Sequence, residues 1–289
     1  MSFDSINLNP QLRPEHQRIL LRYLIDELTL SHHDWVTLVE AVDVLSESIV
    51  MTDGQAYTFR QFYEEYIDLP FADTFLSHLL TLTDVEVEGR RAQAATAQQI
   101  GRLLDQTAGF SRDDSACRLL LIYCLYWWAA FARGYIFEVV IFRDLEAAKI
   151  QFVAHDIRRP NERRAPYDLL LFDLRGDIKY TTYFLTAESL TKLRSDFFLT
   201  RWYLVHRREW LRVAVLRETA WRRLSLPPND DERQITPFDE VANRLPNATA
   251  FTIDNIWLTA LGYEHWKQRV WLKQTTKGEE QITHGKADD

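Results

Sequence analysis

An α+β fold is what this sequence predicts, and three features carry the prediction. Residues 11 to about 110 repeat apolar side chains at helical spacing, as in Leu20, Leu21, Leu24, Ile25 and Leu28. Pro166 to Leu185 instead reads as two antiparallel strands: the apolar run Leu169 to Phe172, a turn-like Asp173-Leu174-Arg175-Gly176, then β-favouring Tyr and Thr. A long apolar helix before that hairpin, and helix and strand segments after it, complete the pattern.

In chain order, Ser31 caps a segment carrying Trp35, Leu38, Val39, Val42 and Leu45. Asp53-Gly54 is a turn, and Thr58 caps a short helix with Phe59, Phe62, Tyr63 and Tyr66. Pro70 opens another helix, and Ala92 to Leu104 is rich in Ala and Gln, both good helix formers. A long helix is capped near Ser111 to Asp114 and is apolar almost all round to Phe131, so it should be central. Lys149 to Ile157 reads as a strand, Arg158 to Arg164 as a basic loop and Glu188 to Leu193 as a short helix. Phe197 to Val205 and Leu211 to Thr219 read as two strands, or as one Arg-studded helix. Pro227 to Asp231 is a linker, and Thr252 to Leu272 adds one helix. The polar stretch from Lys277 to Asp289 is expected to fray.

Composition limits the function classes. Nearly half of the 289 residues are hydrophobic and only nine are Gly, which promises a folded core. Met1 to Pro10 has neither a basic nor an apolar leader region. The longest uncharged apolar run, Leu119 to Ala132, is too short to span a bilayer, so a cytoplasmic protein without a membrane is expected. Cys117 and Cys124, seven apart on one helix, cannot bridge and are expected to be core thiols. Net charge is -8, yet residues 151 to 223 hold 15 Lys+Arg against 9 Asp+Glu, and 13 of the 15 are Arg. Arginine donates two parallel hydrogen bonds to one phosphate, so Arg158, Arg159, Arg163, Arg164 and Arg175 are candidate nucleic-acid contacts.

The chemistry concentrates at the hairpin, where Asp168, Asp177 and Lys179 interrupt apolar strands. Two carboxylates with a lysine two residues after the second can hold a divalent metal and steady an attacking water. Upstream, Glu138 sits inside the apolar stretch Gly134 to Val140, where a carboxylate is costly unless paired or metal-facing. Pairing with Arg133 or Arg143, or exposure at the helix end, would also satisfy it. A four-residue turn at Asp173 to Gly176 sets Phe172 opposite Asp177 and Asp168 opposite Thr181. That register leaves Asp168 roughly 13 Å from the level of Asp177, so a shared metal requires a bulge or a splayed hairpin. His32-His33-Asp34 is a poor ligand set, because adjacent helical residues point about 100° apart. His155-Asp156 lacks the further His and Asp that a phosphohydrolase of the HD type needs.

The order helix with Glu138, strand, strand with Asp168, strand with Asp177-Ile178-Lys179, helix, strand resembles the PD-(D/E)xK nuclease superfamily, the restriction-endonuclease-like fold. The likeness covers roughly Leu119 to Trp221, and Pro166-Tyr167-Asp168 carries one residue more than the family's adjacent Pro-Asp. It implies a metal-dependent DNA endonuclease, in restriction or defence, using Mg²⁺ or Mn²⁺. Asp168, Asp177 and the Ile178 carbonyl would hold the metal. Glu138 would complete the shell or orient a water, and Lys179 would position that water. The alternative is a non-enzymatic helical regulatory or interaction protein with a degenerate nuclease-like core. The expected organisation is a helical region over residues 1–110 that mediates dimerisation or binds a protein partner, a nuclease-like core over 111–226, a helical extension over 227–276 and a disordered tail over 277–289.

Overall fold

The computed structural model describes residues 49–50, 56–57, 59–107, 110–111, 115–159, 162, 165–185, 187–204, 207–224, 241 and 248–284. The helices expected before residue 49, the His32-His33-Asp34 cluster, the Pro227 to Asp231 linker and residues 285–289 lie outside them. Two compact units divide the chain, Met1–Arg133 and Gly134–Asp289. The division between them falls inside a helix.

In the first unit, β1 (Ile49–Val50) pairs antiparallel with β2 (Ala56–Tyr57). Helix α1 (Phe59–Tyr63) runs through a π-helical turn, Glu64–Asp68, into α2 (Leu69–Thr81). Pro70 is the second residue of α2. Helix α3 (Val85–Gln106) begins at Asp84, whose carboxylate accepts from Val87 N at 3.0 Å. The long helix α4 (Ser115–Ala147) starts in this unit. Its Trp128 is fully buried edge-on to Phe75 and donates its indole N–H to Gln93 O at 3.1 Å. Cys124, on the same helix, is a free buried thiol.

The second unit is an open, mixed seven-stranded sheet in the order β3-β4-β5-β6-β7-β9-β8. Its strands are β3 (Val153–Ala154), β4 (Leu169–Leu171), β5 (Leu174–Lys179), β6 (Phe197–Leu204), β7 (Glu209–Arg217), β8 (Thr249–Ile253) and β9 (Ile256–Gly262). Every neighbouring pair is antiparallel except β5 and β6, which run parallel and are joined through a 3-10 turn (Thr182–Phe184) and helix α5 (Ala187–Lys192). Helix α6 (Glu218–Arg223) follows β7 and α7 (Tyr263–His284) follows β9. Period-two alternation splits the buried side chains into two cores. Phe137, Ile141 and Leu145 of α4 and Trp266 and Val270 of α7 pack with Leu169, Leu171, Ile178, Leu199 and Leu216. Leu190 of α5 packs with Phe198, Trp202, Val213, Val215 and Phe251. Over Leu120–Ala147, α4 is long and apolar enough to cross a membrane, but its carboxyl-terminal half is part of the first of these cores.

Three expectations are corrected. The hairpin turns at Phe172-Asp173, not over Asp173 to Gly176: the register pairs Leu171 with Leu174 and Leu169 with Gly176. Both turn residues have positive φ, 52° and 68°, the geometry whose twist matches that of paired strands. Gly176 serves packing instead, since a Cβ there would lie 2.2 Å from the Phe197 ring. The segment after residue 227 is not a helical extension alone, because β8 and β9 complete the sheet before α7. Their turn, Asp254-Asn255, again has two positive φ values. Finally, α7 continues past Lys277 to His284.

Candidate active site

The two-residue turn moves the hairpin register by four positions and removes the 13 Å obstacle. One step beyond Leu169↔Gly176, Asp168 stands beside Asp177. Asp168 N donates to Gly176 O at 2.9 Å, and Asp168 Oδ2 accepts from Ile178 N at 2.6 Å, so its backbone and side chain bracket Asp177. Asp177 is 3% exposed, and Lys179 Nζ lies 2.6 Å from its Oδ1. Glu138, 8% exposed, is one position along α4 from Phe137 of the core. Its carboxyl is within electrostatic reach of Asp168, Lys179 and Asp177.

Burial sets the protonation of the cluster, and like charge reinforces it. Asp168 is pushed up to about 7, by burial first and then by the charge of Asp177, with which it shares a hydrogen bond. Burial raises Glu138 well above the usual carboxylate range, and Asp168 adds to the effect. For Lys179 burial pulls downward, but Asp177, Asp168 and Glu138 together outweigh it and hold the ammonium above its ordinary value.

The donor set suits a hard cation. Two neighbouring carboxylates, with the Ile178 carbonyl between Asp177 and Lys179, offer oxygen ligands only and leave positions for water, as Mg²⁺ and Mn²⁺ prefer. Among the described residues no group of three or more His, Cys, Asp or Glu is arranged to hold a metal. The fit is therefore to Asp168, Asp177 and Ile178, with Glu138 a buried neighbour and not a ligand.

The arginines divide. Arg158 donates to Asp156 at 2.9 Å, and Arg159 to Glu162 at 3.0 Å, so both have partners within their own loop. Arg163 and Arg164 lie outside the described residues. Arg175 is exposed and sits 5.7 Å above the Tyr167 ring. Sequence reasoning missed Arg201, which follows Thr200, the register partner of Lys179. Its guanidinium lies 4.8 Å from both the Tyr180 and Trp210 rings and donates to Tyr180 Oη at 2.5 Å. An Arg inside the apolar alternation of Phe197 to Leu204 was the available signal.

Compared with known proteins, the chain matches no family model, no curated protein and no solved structure.

Proposed function

We propose that this protein is a metal-dependent endonuclease that hydrolyses phosphodiester bonds of DNA, built like the PD-(D/E)xK enzymes. The observation that carries this reading is the pairing of Asp168 with Asp177 across a tight hairpin, with Lys179 on Asp177. When bound, a divalent cation supplies Lewis-acid stabilisation of charge on the scissile phosphate. The chain's own residues do the rest. Asp168 and Asp177 would hold the cation, Asp168 after losing its proton. Lys179 stays an ammonium near neutral pH because three acids surround it, so it orients the attacking water and offsets negative charge. Glu138 can keep or release a proton at the edge of the cluster. The element order α4, β3, β4, β5, α5, β6, with β6 parallel to β5, supports the same reading.

Incubating the protein with supercoiled plasmid and Mg²⁺ or Mn²⁺ tests it. Nicking that chelator abolishes is expected, falling by on the order of 10²-fold or more in Lys179→Ala and Asp177→Ala. Plasmid left intact under all these conditions, or cut equally by the variants, removes the reading.

A further inference from the structure

A second polar site lies on the same unit, in an open cleft of about 420 Å³ where the segment entering β6, the β7 to α6 junction and the β8–β9 turn meet. Among the described residues, two buried donors on its wall have no acceptor, Ser195 Oγ and Arg217 Nε, and Ser195 is only 1% exposed. Unpaired buried donors are rare because each forfeits its hydration without compensation. The Arg217 guanidinium is held in place: one Nη donates to Leu190 O at 2.6 Å and to Leu193 O at 3.2 Å. The neighbouring acids are already engaged. Asp196 accepts from Arg175 N and from Thr219 Oγ1, both at 2.9 Å, and Glu218 pairs with Arg222. What the cleft has to spare is donor capacity. Arg194 adds an exposed cation, and Trp257, 46% exposed, adds a flat aromatic wall.

We propose that this cleft binds one nucleoside phosphate unit, its phosphate on Ser195, Arg217 and Arg194 and its base against Trp257. The choice of a nucleotide over another small anion rests on the phosphodiesterase reading above. Stacking on an aromatic face accepts any base, and a fixed guanidinium suits phosphate. Arg217 follows Leu216, the partner of Phe197, while Asp177 pairs with Phe198. Two residues along and two strands across place the cleft about 12 Å from the acid pair, within reach of one strand occupying both.

The test uses the full chain with chelator present, so that no cleavage intervenes. Binding of a short dye-labelled single-stranded oligonucleotide is read by anisotropy, and binding of thymidine monophosphate and inorganic phosphate by calorimetry. Ser195→Ala and Trp257→Ala are each expected to weaken oligonucleotide binding by about tenfold, with the thermal midpoint unchanged. Arg217→Lys, which keeps the charge and loses Nε, should do the same. Mononucleotide binding with the same dependence supports the site and identifies a free nucleotide as a source; oligonucleotide binding alone identifies a strand. No binding, affinities equal across the variants, or mononucleotide binding indifferent to Trp257→Ala overturns the proposal. Asp177→Ala should lose cleavage and keep the affinity of the cleft. A wild-type protein that never cuts plasmid but binds in a Ser195-dependent way would defeat the nuclease reading and leave this one standing.

Discussion

Asp168, buried beside Asp177, gives the cluster a pH signature. Asp168 is raised to about 7 in the folded chain, against an ordinary unfolded value near 4, so between those values the folded state binds more protons than the unfolded one. The stability it contributes is fully present below about pH 4 and is lost as pH rises through about 7. Glu138 is shifted in the same direction and adds to the loss. The metal-free protein should therefore be less stable at pH 8 than at pH 5, by on the order of 2 kcal/mol. Urea denaturation at the two pH values measures this, and Asp168→Asn should flatten the dependence. Under the proposed function Mg²⁺ would compete with the Asp168 proton, so its affinity should rise with pH up to about 7 and then level. All four members of this cluster were legible in the sequence, because charged residues in apolar runs stand out. Their protonation was not, since it depends on distances that only the register sets.

Among elements, the hairpin shows where sequence reading fails. Glycine after Asp-Leu-Arg resembles turn chemistry, but Gly176 is a strand residue that admits the Phe197 ring. Gly176→Ala should cost about 1–3 kcal/mol through overpacking and shift β5 against β6. Thermal denaturation checks the stability, and partial rescue by Phe197→Leu identifies the cause. Gly134 gives the opposite case: it lies within α4, and a Cβ there would meet none of the described residues within 4 Å. Gly134→Ala should raise stability by roughly 0.5–1 kcal/mol through helix propensity, read as a higher melting point. Helices α2, α3 and α5 and strands β6 and β7 were readable because their patterns run long or their bounds are marked. The β8–β9 hairpin was missed because Asp254-Asn255 lacks the glycine that usually flags such a turn.

For the whole molecule, the division inside α4 changes what can be cut away. A chain beginning near Ser111 would keep Trp128 but lose Phe75 and Gln93, its ring contact and its hydrogen-bond acceptor. Such a truncated chain should aggregate or melt far lower than the full protein, because losing the partners of a buried tryptophan costs about 3–5 kcal/mol. Size-exclusion chromatography and circular dichroism would show it. The charge asymmetry remains a sequence-level fact: the acidic residues 1–150 precede an arginine-rich middle, which should direct a polyanion toward the second unit.

The turn at Phe172-Asp173 also bears on how fast the molecule assembles. Asp168 and Asp177 meet once a two-residue loop closes, an event of microseconds. Pairing β5 with β6 must wait for the connection through α5, and such non-local contacts form more slowly. Two like charges thus come together early on the route to the native state, and their repulsion belongs to the barrier. Refolding should run faster at pH 5 than at pH 8, and in Asp168→Asn it should proceed at one rate at both.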